Sequence, residues 1–101
     1  MKYFILGDED AVLGFGLVGV HGLAASNPEE ARLAFNRALE DKEVGIIIIT
    51  ERVAELIRSQ VDRYVFTQNF PLIVEIPDRL GPMAGKPGIR QMVNQAIGIK
   101  L

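Results

Sequence analysis

The chain has 101 residues, close to the modal size of one domain, and nearly half of them are apolar, so a single hydrophobic core is expected. A formal charge of −2 with Lys and Arg spread along the chain leaves no basic footprint for nucleic acid, and the lack of cysteine removes disulfides, thiolate chemistry and Cys-ligated metals. The opening "MKYFILGDED" turns acidic before a secretory apolar region forms, and the apolar runs fall short of the ~20 residues of a membrane helix, so a soluble chain is expected.

"KYFILG", residues 2–7, is a short aromatic and β-branched run ending in Gly, the pattern of a buried strand. "DED" follows, then "AVLGFGLVGV", an apolar helix with Asp8 or Asp10 as its N-cap. Each helical Gly costs about 1 kcal/mol relative to Ala, so Gly14, Gly16 and Gly19 call for a compensating reason, and close packing of the helix backbone on a sheet is the one expected. These three glycines match G-x-G-x-x-G, but a dinucleotide fingerprint belongs in the turn ahead of the helix, so the match is accidental.

"GVHGLAAS" supplies a short second strand. In "NPEEARLAFNRALEDK" Asn27 caps a helix, Pro28 takes its first position, and Glu29 and Glu30 face the positive end of its dipole. Its core stripe is Ala31, Ala34, Phe35, Ala38 and Leu39. "VGIIIIT", residues 44–50, is apolar without alternation, as in a parallel strand covered on both faces. Thr50 then caps one helix, "ERVAELIRSQVDRYV", with Val53, Ala54, Ile57 and Val61 inward. "LIVEI" is a fourth strand, and Glu75 within it favours an edge position or a partner contact. "GIRQMVNQAIGIKL" ends the chain as an amphipathic helix with Ile89, Met92, Val93, Ala96 and Ile97 on one face.

Strands and helices thus alternate four times. That order specifies a small doubly wound α/β domain with a four-stranded parallel sheet, of receiver-like or Rossmann-like topology, and right-handed crossovers. Residues 1–80 form the α/β domain, 81–88 a Gly/Pro-rich connection, and 89–101 the terminal helix.

Ligands of such sheets bind beyond the carboxyl ends of the strands. Asp8, Glu9 and Asp10 there suggest the acidic Mg²⁺ pocket of a receiver-like regulatory domain, but Thr50-Glu51 stands where the acceptor Asp is needed and no fifth strand brings a Lys. Helix capping and solvated charge account for the acids. "GPMAGKPG" approaches a phosphate loop, yet its glycines are one residue too close, and Pro82 and Pro87 remove backbone donors where Pro87 also displaces the hydroxyl. His21 has no partner His or Cys, and four Ser and Thr residues form no nucleophile constellation. No catalytic residue, cofactor or metal site is expected.

"GDEDAVLGFGLVGV", "EVGIIIITERVAELIRSQVD" and "FPLIVEIPDRLG", in this order and spacing, resemble the F-subunit family of V-type (A/V-type) ATP synthases across nearly the whole chain. Ala11 departs from the Thr common in that family. The resemblance implies a non-catalytic subunit of the central stalk, bound to the long coiled-coil D subunit, which turns inside the catalytic A/B head and connects it to the membrane rotor. It places the chain at the cytoplasmic face of the membrane as a peripheral part of the complex. It further implies that residues 81–88, with Gly81, Gly85 and Gly88, are a hinge that lets the last helix pack on its own sheet or swing out along the stalk. For the contact with the D subunit, the expected residues are Ile73, Ile76, Ile89, Met92, Val93 and Ile97, with Arg90 adding a charge-assisted bond. Without its partner such a chain is open to self-association through the same face.

Overall fold

A computed structural model describes residues 1–78 and 81. Its elements are β1 (Lys2–Gly7), α1 (Glu9–Leu17), β2 (His21–Ala24), α2 (Pro28–Glu40), β3 (Val44–Thr50), α3 (Glu51–Leu56), α4 (Arg58–Thr67) and β4 (Leu72–Ile76). The strands form one sheet in the order β2-β1-β3-β4, and every neighbouring pair is parallel. This is the expected doubly wound α/β class. The chain steps one way from β1 to β2 and back across to β3, so the switch point lies between β1 and β3.

Register divides the sheet residues into two faces. Phe4, Ile47 and Ile73 lie abreast, and Leu6, Ile49 and Glu75 form the next row of that face. Leu6, Ile47 and Ile49 are fully buried against Phe35 and its alanine neighbours on α2 and against Val53, Ala54 and Val61 of α3 and α4. Alanines at 31, 34 and 38 let α2 approach while Phe35 fills the space left, and Tyr64 meets its ring edge-on at 5.8 Å. α2 starts as expected: Asn27 accepts from the Glu30 N–H at 2.8 Å, Pro28 opens the helix, and Glu30 reaches back to the Ser26 N–H and hydroxyl.

On the opposite face the rows are Tyr3, Ile46, Leu72, then Ile5, Ile48, Val74, then Gly7, Thr50, Ile76. α1 packs here over β1, with the closest approach at Gly7: a Cβ added there would stand 2.8 Å from Thr50 Cγ2 and 3.2 Å from Ala11 Cβ. The tight helix-to-sheet contact expected from Gly14 and Gly16 is thus made by Gly7 and Ala11, and a Cβ at Gly14 or Gly16 meets nothing within 4 Å among the described residues. Gly19 takes φ +90 just past the helix, a backbone turn that favours glycine.

Two further differences from expectation emerge. The single helix expected after β3 is broken at Ile57 (φ −132, ψ 38), whose N–H closes back on the Ala54 carbonyl at 3.1 Å before the Val61 N–H restarts the ladder on Ile57. Ile57 stays in the core through the break. β3 is also not evenly covered: Val44, Ile47 and Ile49 are buried, whereas Ile46 and Ile48 on the other face are half-buried.

Candidate functional site

The carboxyl ends of the strands are occupied by groups of the chain itself. Asp8 spends an oxygen on the Ala11 N–H at 3.0 Å, as the N-cap of α1. Thr50 stands at the end of β3 where a receiver would carry its acceptor carboxylate, and is 1% exposed. Its Oγ1 is buried with no hydrogen-bond partner among the described residues. Asp78 beyond β4 is nearly buried and paired with Arg52 at 2.9 Å. Among the described residues no three His, Cys, Asp or Glu side chains are grouped to hold a metal ion. Gly14 and Gly16 lie within α1, away from the β1–α1 turn where a dinucleotide fingerprint would sit, and His21 is exposed at the start of β2.

Glu75 is on the edge strand, as its charge suggests, and it is not left unmatched. Arg58 grips it with two hydrogen bonds of 2.6 and 2.8 Å. The same guanidinium bonds Glu55 and Asp62 at 3.1 Å each. The bond to Glu75, above all, raises the Arg58 pKa, against the opposing pull of burial. Elsewhere Lys2 and Asp41 pair at 2.6 Å, which raises the ammonium and, with the Glu43 N–H, lowers the carboxyl.

What the chain offers to a partner is apolar surface. Ile73, expected in the contact, is half-buried and packed against the core on the helix-covered face, while Leu72 and Val74 beside it are exposed on the other. Ile76 shares their face and is half-buried. Ile89, Arg90, Met92, Val93 and Ile97 lie outside the described residues, as do Gly85 and Gly88. Gly81 is described, with φ +84 and its N–H donating to the Asp78 carbonyl at 2.9 Å.

Sequence reasoning missed a larger patch. α1 buries no residue, and Leu13, Leu17 and Val18 all project from its outer side. The signal was legible: Ala11 to Val20 contains no polar side chain. Phe66 at the end of α4 and Phe70 before β4 are exposed as well. No helix among the described residues is long and apolar enough to cross a membrane.

Comparison with known proteins follows the same lines. Residues 4–93 match the family model described as ATP synthase (F/14-kDa) subunit. The F subunit of the A-type ATP synthase of Pyrococcus furiosus is 40% identical, over 100% of this chain and 98% of its own length. Those of Thermococcus kodakarensis and Methanocaldococcus jannaschii are 38% and 32% identical, again over 100% of this chain and 98% and 99% of theirs. With the match spanning the α/β domain from end to end, the chain belongs to the family of ATP synthase (F/14-kDa) subunits.

Proposed function

We propose that the chain is a non-catalytic subunit of the central stalk of an A/V-type ATP synthase, bound to the coiled-coil D subunit, and that it helps to couple ATP hydrolysis or synthesis to ion translocation. The observation that carries this reading is the full-length likeness to A-type ATP synthase F subunits. Exposed leucine, valine and phenylalanine side chains on α1 and beside β4 suit a protein that works with its surface covered. In this reading the subunit sits at the cytoplasmic face of the membrane, and it meets the catalytic A/B head and the membrane rotor through the complex.

Co-purification with the D subunit, followed by the mass of the complex, tests it. A stable one-to-one species is expected. Failure of the two folded chains to associate would overturn the assignment.

The hinge belongs to the same proposal. Gly81, Gly85 and Gly88 supply backbone freedom ahead of a sequence whose apolar stripe suits either its own sheet or the stalk. Gly85→Pro is expected to change coupling or ATPase regulation in the reconstituted complex while the circular dichroism of the isolated chain stays the same. Unchanged regulation would sink the hinge.

A further inference from the structure

The two sides of the sheet are covered to different extents. Helices α2, α3 and α4 close one side, over Leu6, Ile47 and Ile49. On the other, α1 packs over β1 and β2, and the β3–β4 half sets Ile46 beside Leu72, Ile48 beside Val74 and Thr50 beside Ile76. Ile46, Ile48 and Ile76 are half-buried, while Leu72 and Val74 are 56% and 38% exposed. Two strands make a strip about 10 Å wide, the breadth of one helix. The chain leaves the sheet where it can cover that strip. Asp78, tied to Arg52 at 2.9 Å, fixes the exit beyond β4. Gly81, with φ +84, then bridges back antiparallel to Asp78, so the backbone reverses there. In the residues that follow, Ile89, Met92, Val93, Ala96 and Ile97 recur at helical spacing, with Arg90, Gln91, Asn94 and Gln95 between them.

We propose that the β3–β4 half of this side is the seat of the chain's own residues 89–97, held as a helix antiparallel to β4 with Ile89 toward Ile76, Val93 over Val74 and Ile97 toward Leu72. The lengths agree. From residue 89 to 97 a helix rises about 12 Å, and from Leu72 to Ile76 a strand advances about 13 Å. Residues 82–88 reach about 23 Å when extended, more than the ~10 Å between packed layers. A stripe with one apolar and one polar side suits a seat that covers it once, and leaves Arg90 and Gln91 in water. Tethering selects the occupant, because so short a connection holds the segment at an effective concentration in the millimolar range, above that of a second copy in ordinary solution. The seat is a property of the free chain and does not rest on the stalk reading; on that reading, the hinge is how the segment leaves it.

The chain has no cysteine, so introduced thiols are unique in the full-length protein. Val74→Cys with Val93→Cys is expected to be joined within one chain by a short bifunctional maleimide at least tenfold faster than Val74→Cys with Gln91→Cys, whose second thiol belongs to the outer side. With Val74→Cys alone, labelling by a simple maleimide is expected to quicken at least tenfold once Val93→Asp and Ile97→Asp charge the stripe, in chains that still melt cooperatively. Leu72→Cys repeats the measurement at a second position of the strip. Equal cross-linking by the two pairs, or labelling indifferent to the charged stripe, would overturn the seat. Cross-links formed only between chains would give the strip to a second copy and overturn this occupant. Failure to bind the D subunit would overturn the stalk reading and leave the seat standing.

Discussion

Arg58 and Glu75, at the head of α4 and inside the edge strand β4, are held by a two-pronged hydrogen bond of 2.6 and 2.8 Å across 17 residues of sequence. Both side chains keep less than a third of their surface in water. Removing the guanidinium leaves a carboxylate with diminished solvation and no fork to answer it, at a cost of about 1–3 kcal/mol. Arg58→Ala is therefore expected to lower the unfolding free energy by that amount, read as a fall in the urea midpoint at unchanged m. Arg58→Leu combined with Glu75→Thr should cost less than the sum of the single changes. Strict additivity in the double-mutant cycle would show that the fork contributes nothing.

Glycines at 22 and 16 are expected to respond to alanine with opposite signs. A Cβ at Gly22 would overlap the Ile5 carbonyl, so β2 must shift off β1, and overpacking of this kind costs about 1–3 kcal/mol or more. At Gly16 a Cβ meets open space inside a helix, and alanine should stabilise by about 1 kcal/mol. Thermal melts of the two variants decide; a gain at Gly22→Ala would contradict the close β1–β2 approach.

Thr50→Val should stabilise the isolated chain. The buried Thr50 hydroxyl has no partner among the described residues, and an unanswered buried polar group costs about 1–3 kcal/mol. The methyl replacement keeps the shape beside Gly7, so a gain on the order of 1 kcal/mol is expected in chemical denaturation. A loss would mean that the hydroxyl is bound in solution.

Acid should erode stability through Glu30 and Asp41. The Ser26 N–H holds the Glu30 pKa below its ordinary 4.5, and the Lys2 ammonium holds Asp41 below its ordinary 3.8. A carboxylate depressed by folding contributes its stability in full above the unfolded pKa and loses it as pH falls through the folded one. The thermal midpoint should thus begin to drop near pH 4.5 and continue below 3.8. Glu30→Gln with Asp41→Asn should flatten that limb, and an unaltered slope in the double variant would assign it to other groups.

Much of the fold was legible because local chemistry and tertiary need coincide. Asn27-Pro28-Glu29-Glu30 states a helix start in four residues, and the Ala31 to Ala38 stripe names the face that packs. The apolar run of β3 marked a central parallel strand, and Glu75 marked the edge. The break at Ile57 was hidden because Val53, Ala54, Ile57 and Val61 keep helical spacing through it, and all four stay buried. The roles of the glycines were hidden for a different reason. Gly7 serves close packing and Gly14 open surface, a distinction set by what lies across from each backbone and not by local pattern. Alternation within β4 separates Ile73 from Leu72 and Val74, but which side receives the helices depends on the crossovers.

The position of β1 bears on the order of events at the ribosome. β1 precedes both of its neighbours in the chain and is flanked by β2 and β3 in the finished sheet, where Tyr3 aligns with Ile46. Synthesis at about 5–20 residues per second leaves that side of β1 without its mate for roughly 2–8 s. During this interval "KYFIL" is an unpaired apolar edge on a nascent chain. Until β3 pairs with it, that edge of β1 is a template for wrong strand pairing.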